Sequence, residues 1–110
     1  MKQINIGING FGRIGRTLYR LLSEQAHLRV VAINDLADAP TLSHLLKYDS
    51  IHGVFQKEVS HSGENIIVDN NKVALLNYNS PKDIPWSDHK VDIVVEATGK
   101  FKDRAILEYH

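Results

Sequence analysis

The feature that most constrains this chain is a glycine-punctuated passage close to its start. Ile4-Asn5-Ile6-Gly7-Ile8-Asn9 reads as a buried strand, and Gly10-Phe11-Gly12-Arg13-Ile14-Gly15 follows it at once. The glycines have the G-x-G-x-x-G spacing, in which the first makes a tight turn, the second lets backbone approach a pyrophosphate, and the third lets a helix pack on its strand. Unpaired N–H groups at the start of that helix carry partial positive charge, so the turn predicts an anion site, most directly for phosphate. Spacing alone is a weak signal, because seven glycines in 110 residues can produce it by chance. Context strengthens it: Asp35 stands 20 residues after Gly15, at the end of a second apolar run, Leu28–Asn34, where an acid can accept hydrogen bonds from ribose hydroxyls.

From Arg13 to about Glu24, Ile14, Leu18, Leu21 and Leu22 fall on one face at helical spacing, which predicts a helix laid on a sheet. Leu28–Asn34 is then a second, parallel strand covered on both faces, reached by a right-handed crossover. Asp38 followed by Pro40 marks the start of a short helix with Leu42, Leu45 and Leu46 on one side, ending near Tyr48. Between Val54 and Leu76, valine- and isoleucine-rich runs are broken by Ser62-Gly63 and Asp69-Asn70-Asn71. That pattern predicts an antiparallel strand set, read as an insertion and not as a parallel crossover. Pro81 and Pro85 bracket a loop that Trp86 anchors, Val91–Glu96 is a further buried strand, and Asp103 with Ile106 and Leu107 reads as the beginning of a helix. The expected fold class is therefore α/β, a Rossmann-type, doubly wound, mostly parallel sheet with an antiparallel strand insertion, truncated. Residues 1–110 are one domain at most, fewer than two complete βαβαβ halves require.

Thirteen Lys+Arg balance thirteen Asp+Glu, so no bulk charge calls for a nucleic acid or a membrane surface. The absence of cysteine excludes disulfides, thiolate metal sites and a cysteine nucleophile within these residues. No apolar run approaches the roughly 18 residues of a membrane span, and no signal peptide is read at the N-terminus, so a cytoplasmic soluble protein is expected. The six histidines form no i,i+4 pair and no H-E-x-x-H, so no metal site is expected.

Ligands of an open α/β sheet sit outside the carboxyl ends of its strands. Gly10, Phe11, Gly12, Arg13 and Ile14 occupy one such end, Asn34 and Asp35 a second, Thr98 and Gly99 a third, and they are expected to converge on one site. Arg13 and Arg16 read as helix-face charges in water, with the phosphate left to backbone N–H groups. Asp35 would meet a 2′-phosphate with like charge, so the cofactor expected is NAD and not NADP.

Ile8-Asn9-Gly10-Phe11-Gly12-Arg13-Ile14-Gly15-Arg16 resembles the N-terminus of the phosphorylating glyceraldehyde-3-phosphate dehydrogenases. Ala32-Ile33-Asn34-Asp35-Leu36, His44–Ser50 with His52-Gly53, Ile84-Pro85-Trp86 and Val91–Phe101 agree with that family in order. The resemblance implies a homotetrameric cytoplasmic enzyme of glycolysis that oxidises glyceraldehyde 3-phosphate with NAD and phosphate to 1,3-bisphosphoglycerate. It implies that Arg13 and Ile14 cover the pyrophosphate, that Asp35 holds the adenosine ribose, and that Thr98, Gly99 and Phe101 line the cofactor. Tyr78-Asn79-Ser80-Pro81 replaces the family's Glu-Arg-Asp-Pro, so an arginine beside the adenine is missing and only a backbone contact at Asn79 is carried over. Val54 stands where the family often has arginine. The family's catalytic cysteine, histidine and phosphate-binding residues have no counterparts in residues 1–110. The chain therefore reads as the first part of a cofactor-binding domain, without the catalytic domain, without catalytic residues of its own and inactive alone. Erythrose-4-phosphate dehydrogenase shares the pattern and stays open as an alternative, as does a non-catalytic nucleotide-binding module.

Overall fold

A computed structural model of the chain describes residues 3–49, 53–79, 83–98 and 106–109. In chain order the elements are β1 (Ile4–Asn9), α1 (Arg13–Leu22), β2 (Leu28–Asn34), α2 (Ala39–Lys47), β3 (Tyr48–Asp49), β4 (Gly53–Val54), β5 (Val59–Ser62), β6 (Asn65–Val68), β7 (Asn71–Leu76), a 3-10 turn (Trp86–His89), β8 (Ile93–Glu96) and β9 (Ile106–Tyr109). Seven strands form one sheet in the order β5-β6-β7-β2-β1-β8-β9, and β3 pairs with β4 apart from it.

β7, β2, β1 and β8 run parallel, with β1 at the centre flanked by β2 and β8. This is the α/β, Rossmann-type arrangement expected from the glycine turn and the two apolar runs. Two expectations are corrected. The stretch from Val54 to Leu76 is not wholly an insertion: β6 pairs antiparallel with both β5 and β7, but β7 also pairs parallel to β2, Ala32↔Ala74 through Asn34↔Leu76. α2 and the β5–β6 hairpin thus lie within a parallel crossover from β2 to β7. The residues at 106–109 form a strand antiparallel to β8 and not a helix. The edge of β8 offers a row of backbone donors and acceptors that an extended segment satisfies at once, whereas a single helical turn fixes several dihedrals for one hydrogen bond. Asp103 lies outside the described residues.

The sheet is covered on both faces. On one, Ile6, Ile8, Val30, Ile33, Ile66, Val73 and Val95 pack with residues of α1 and α2, including Tyr19, Leu42 and Leu46. On the other, Trp86 packs with Ile84, Val91, Val94 and Ala32. Gly7 makes that second layer possible, because a Cβ there would come within 2.6 Å of the Trp86 ring. The β1–β2 register skips Val31: Ile6 faces Val30 but Gly7 faces Ala32. Val30 and Ile33 therefore both join the helix-side core.

α1 departs from its expected face at one position. Leu21 is 62% exposed, and Tyr19 takes the buried place instead, edge-on to Phe11 and Phe55. Burial and the nearby Asp69 carboxylate raise the Tyr19 hydroxyl well above its ordinary pKa. Arg20 fastens α1 to the far end of α2 and to β4, donating to the carbonyls of Leu46 at 2.8 Å and Gly53 at 2.9 Å. α2 starts as expected, with Asp38 accepting from the Thr41 N–H at 2.9 Å and Pro40 in the first turn. The hydrogen bonds from Thr41 hold the Asp38 carboxyl below its ordinary pKa. Among the described residues no helix is long and apolar enough to cross a membrane.

Candidate functional site

The carboxyl ends of β1, β2, β7 and β8 form one crest, stitched by backbone hydrogen bonds. Gly10 N–H donates to Asn34 O at 2.8 Å, Ala97 N–H to Asn9 O at 2.8 Å, and Asp35 N–H to Leu76 O at 2.9 Å. The expected convergence of Gly10–Ile14, Asn34–Asp35 and Thr98 follows from these contacts. Gly99 and Phe101 lie outside the described residues.

Each glycine of the turn has a separate physical reason. Gly10 has φ +94°, a region that favours glycine, and a Cβ on it would come within 2.8 Å of the Thr98 backbone. A Cβ on Gly15 would overlap the Gly10 carbonyl oxygen, so α1 sits directly on the turn. Gly12 is different: its backbone (φ −78°, ψ −157°) suits any residue, and a Cβ on it would meet no protein atom within 4 Å. Neither strain nor internal packing asks for glycine at position 12. A side chain there would project into the open space in front of the turn.

Gly12 is also the N-cap of α1, and it provides no side-chain cap. The first turn of the helix contains no acid either. Its leading N–H groups have no side-chain partner at the cap and retain the partial positive charge of a helix N-terminus. Arg13 is exposed beside them, and Ile14 is half-buried against the core. Arg16 is not the solvated charge expected from the sequence: it is half-buried and donates to Phe11 O at 3.1 Å, bracing the turn from behind. Its Nε is buried with no partner.

Asp35 closes the other side. Its Oδ2 accepts the Phe11 N–H at 2.8 Å and its Oδ1 the Ala37 N–H at 3.0 Å. These contacts fix the carboxylate, and a carboxylate has about four lone-pair sites, so each oxygen keeps capacity for a further donor. The Phe11 side chain, only 1% exposed, belongs to the core, and its contribution here is its backbone. Asn77 Nδ2 donates to Asp35 O at 2.7 Å, which brings the exposed segment 77–79, Asn79 included, alongside the acid.

Asn34, expected among the ligand-facing residues, has its amide engaged within the protein: Nδ2 donates to Asn9 Oδ1 at 2.9 Å and to Tyr78 O at 3.0 Å, and Oδ1 accepts the Tyr78 N–H at 2.9 Å. Asn9 in turn donates to both carboxylate oxygens of Glu96, at 3.0 and 2.9 Å. The sequence reading passed over Asn9 and Glu96. Their signal was a polar residue at the last position of the strand, repeated in β1, β2 and β8.

A cavity of about 370 Å³ lies elsewhere, lined by Gln3, Ser23, Arg29, Lys57, Asp69 and Asn71 among others. It sits at the amino ends of the strands, opposite the crest where open α/β sheets take their ligands. Among the described residues no group of three His, Asp or Glu side chains is placed to hold a metal ion.

Residues 4–104 match the family model described as glyceraldehyde 3-phosphate dehydrogenase, NAD binding domain. The chain is 48% identical over 105 residues to glyceraldehyde-3-phosphate dehydrogenase 1 of Bacillus cereus, covering 96% of this chain and 31% of that protein. It is 51% identical over 108 residues to glyceraldehyde-3-phosphate dehydrogenase of Streptomyces coelicolor, covering 97% of this chain and 32% of the relative. For the enzyme of Mycoplasma pneumoniae the identity is 48% over 100 residues, covering 91% and 30% respectively. The chain thus spans about a third of the length of the curated relatives it matches.

Proposed function

Because the chain belongs to the glyceraldehyde-3-phosphate dehydrogenase family, as an NAD-binding domain of that family, we propose that the crest described above is the seat of the cofactor. In this reading the N–H groups at the start of α1, with Arg13 and Ile14, hold the pyrophosphate, and Gly12 stays bare for it. Asp35 accepts the hydroxyls of the adenosine ribose, the backbone around Asn79 borders the adenine, and Thr98, Gly99 and Phe101 continue the site along β8. One observation carries the reading. The Phe11 N–H to Asp35 Oδ2 hydrogen bond at 2.8 Å locks the anion-attracting turn and the hydroxyl-accepting acid into one mouth. That mouth suits a ligand with a phosphate beside a ribose, and a carboxylate there disfavours a 2′-phosphate, which favours NAD over NADP.

When bound, NAD supplies the hydride acceptor. The residues here bind and orient it. The whole protein, in this proposal, oxidises glyceraldehyde 3-phosphate with phosphate to 1,3-bisphosphoglycerate as a cytoplasmic homotetramer. Residues 1–110 contain no cysteine to form the covalent adduct such a reaction uses. They form the cofactor-holding part and do not turn over substrate alone.

Calorimetry on the chain and on its Asp35→Ala variant tests the site. NAD is expected to bind more tightly than NADP, and Asp35→Ala to weaken NAD at least about tenfold, equivalent to 1.4 kcal/mol. Unchanged NAD affinity in the variant would remove Asp35 from the site.

A further inference from the structure

Two buried asparagines at the crest are occupied with each other and with the ends of two more strands. Asn9 and Asn34 are 4% and 5% exposed. The path runs from the Tyr78 N–H through Asn34 and Asn9 to the Glu96 carboxylate, joining the ends of β7, β2, β1 and β8. Its polarity has no freedom. The Tyr78 N–H requires Asn34 Oδ1, which turns Asn34 Nδ2 toward Asn9 Oδ1 and leaves Asn9 Nδ2 for Glu96. The Asn34 amide also receives from and donates to the same Tyr78 backbone. In doing so it acts as one more residue of the β2–β7 ladder, beyond the last pair Asn34↔Leu76. Segment 77–79 is thereby held next to Asp35, where Asn77 completes the attachment.

We propose that Asn9, Asn34 and Glu96 are positioning residues for nucleotide binding, an amide relay that fixes the 77–79 wall of the adenosine subsite relative to the glycine turn. The inference rests on the cofactor reading given above. The relay's side-chain amides are engaged with protein partners, and it acts through the backbone of residues 77–79. Its loss therefore weakens the adenosine half of the ligand while sparing the anion site at α1.

The directional pattern supplies the test. Asn34→Ala removes the ladder extension, so the Tyr78 amide should exchange with solvent faster and affinity for AMP should fall about tenfold, while affinity for inorganic pyrophosphate is kept. Asn9→Asp keeps the acceptor that Asn34 needs but sets a second carboxylate against Glu96, and AMP affinity should fall again. Adding Glu96→Gln to Asn9→Asp restores a donor–acceptor pair at unchanged net charge, and AMP affinity should return. All measurements are made well below the melting temperature of each variant, followed by circular dichroism. AMP affinity that does not return in the folded double variant overturns the proposal. So does Asn34→Ala with unaltered AMP binding, or with AMP and pyrophosphate lost in equal measure. If the unsubstituted chain binds neither NAD nor AMP, the cofactor reading itself falls and takes this inference with it, a result distinct from normal binding that the variants leave unchanged.

Discussion

Adding the same methyl group at Gly12 and at Gly15 should produce opposite phenotypes. At Gly12 the methyl meets no protein atom within 4 Å, and the backbone already lies in an extended region open to alanine. Alanine reduces the entropy of the unfolded chain, a gain of about 0.4–1 kcal/mol. It is also a poorer N-cap than glycine, which offsets a comparable amount. Gly12→Ala should therefore melt within a few degrees of the unsubstituted chain. Its NAD affinity should fall at least about tenfold, since a methyl on the face of the turn holds the pyrophosphate off the N–H groups. At Gly15 the methyl overlaps the Gly10 carbonyl oxygen, and Gly10 cannot retreat because its N–H is bonded to Asn34 O and its far side backs onto Thr98. The helix must shift instead, a strain of about 1–3 kcal/mol by comparison with overpacked cores. At about 4–8 °C per kcal/mol for a small domain, the melting temperature should drop by roughly 4–24 °C. Thermal melts by circular dichroism and NAD titration by calorimetry read both quantities. A Gly12→Ala variant that binds NAD normally refutes the assignment of that glycine to the ligand. A Gly15→Ala variant that melts with the unsubstituted chain refutes the close helix–turn contact.

Trp86→Ala should destabilise by about 3–5 kcal/mol, because it uncovers Gly7 and opens the smaller core; a shift of the urea midpoint measures it. The Asp38 cap should contribute stability above the carboxyl's ordinary pKa of 3.8 and lose it as pH falls through the lower folded-state value. Asp38→Asn, a cap that does not titrate, should be less stable than the unsubstituted chain near neutrality, with the gap closing in acid; parallel curves of melting temperature against pH would refute this. The purified chain given glyceraldehyde 3-phosphate, NAD and phosphate should form no NADH above a no-protein blank, and turnover by a preparation shown free of host enzyme would mean that it carries its own nucleophile.

Much of the site was legible because its signals are local. The glycine spacing, the apolar runs on either side and Asp35 are all read within 32 consecutive residues, Ile4–Asp35, and the hydrogen bonds confirm that these parts meet. Pairing partners are not local, and there the reading failed. Nothing within Asn71–Leu76 says that one edge of the strand faces β6 antiparallel and the other β2 parallel. The segment at 106–109 carries residues compatible with either helix or strand, and the open edge of β8 decides the matter. Gly7 was a missed clue, since glycine inside a strand marks a close approach, here by Trp86. Arg16 and Leu21 were misjudged, and Tyr19 was passed over, because helical periodicity assigns faces and not the reach of long side chains, which can cover a turn or fill a gap beside it.

The skipped residue in β2 sets a limit on how the length of this chain can vary. Upstream of Leu28, residues of the α1–β2 connection can be gained or lost with little consequence, since a loop absorbs the change. Inside β2 the doubled position at Val31 and Ala32 supplies the slack. Removing Val31 would abolish the offset between Ile6↔Val30 and Gly7↔Ala32 and leave a regular strand in which Val30, Ala32, Ile33 and Asn34 keep their present faces. A residue added between Ala32 and Asn34 has no such outlet and turns either Ile33 out of the helix-side core or Asn34 away from Asn9. Single-residue scanning should therefore find β2 tolerant of a deletion at Val31 and intolerant of an insertion after Ala32.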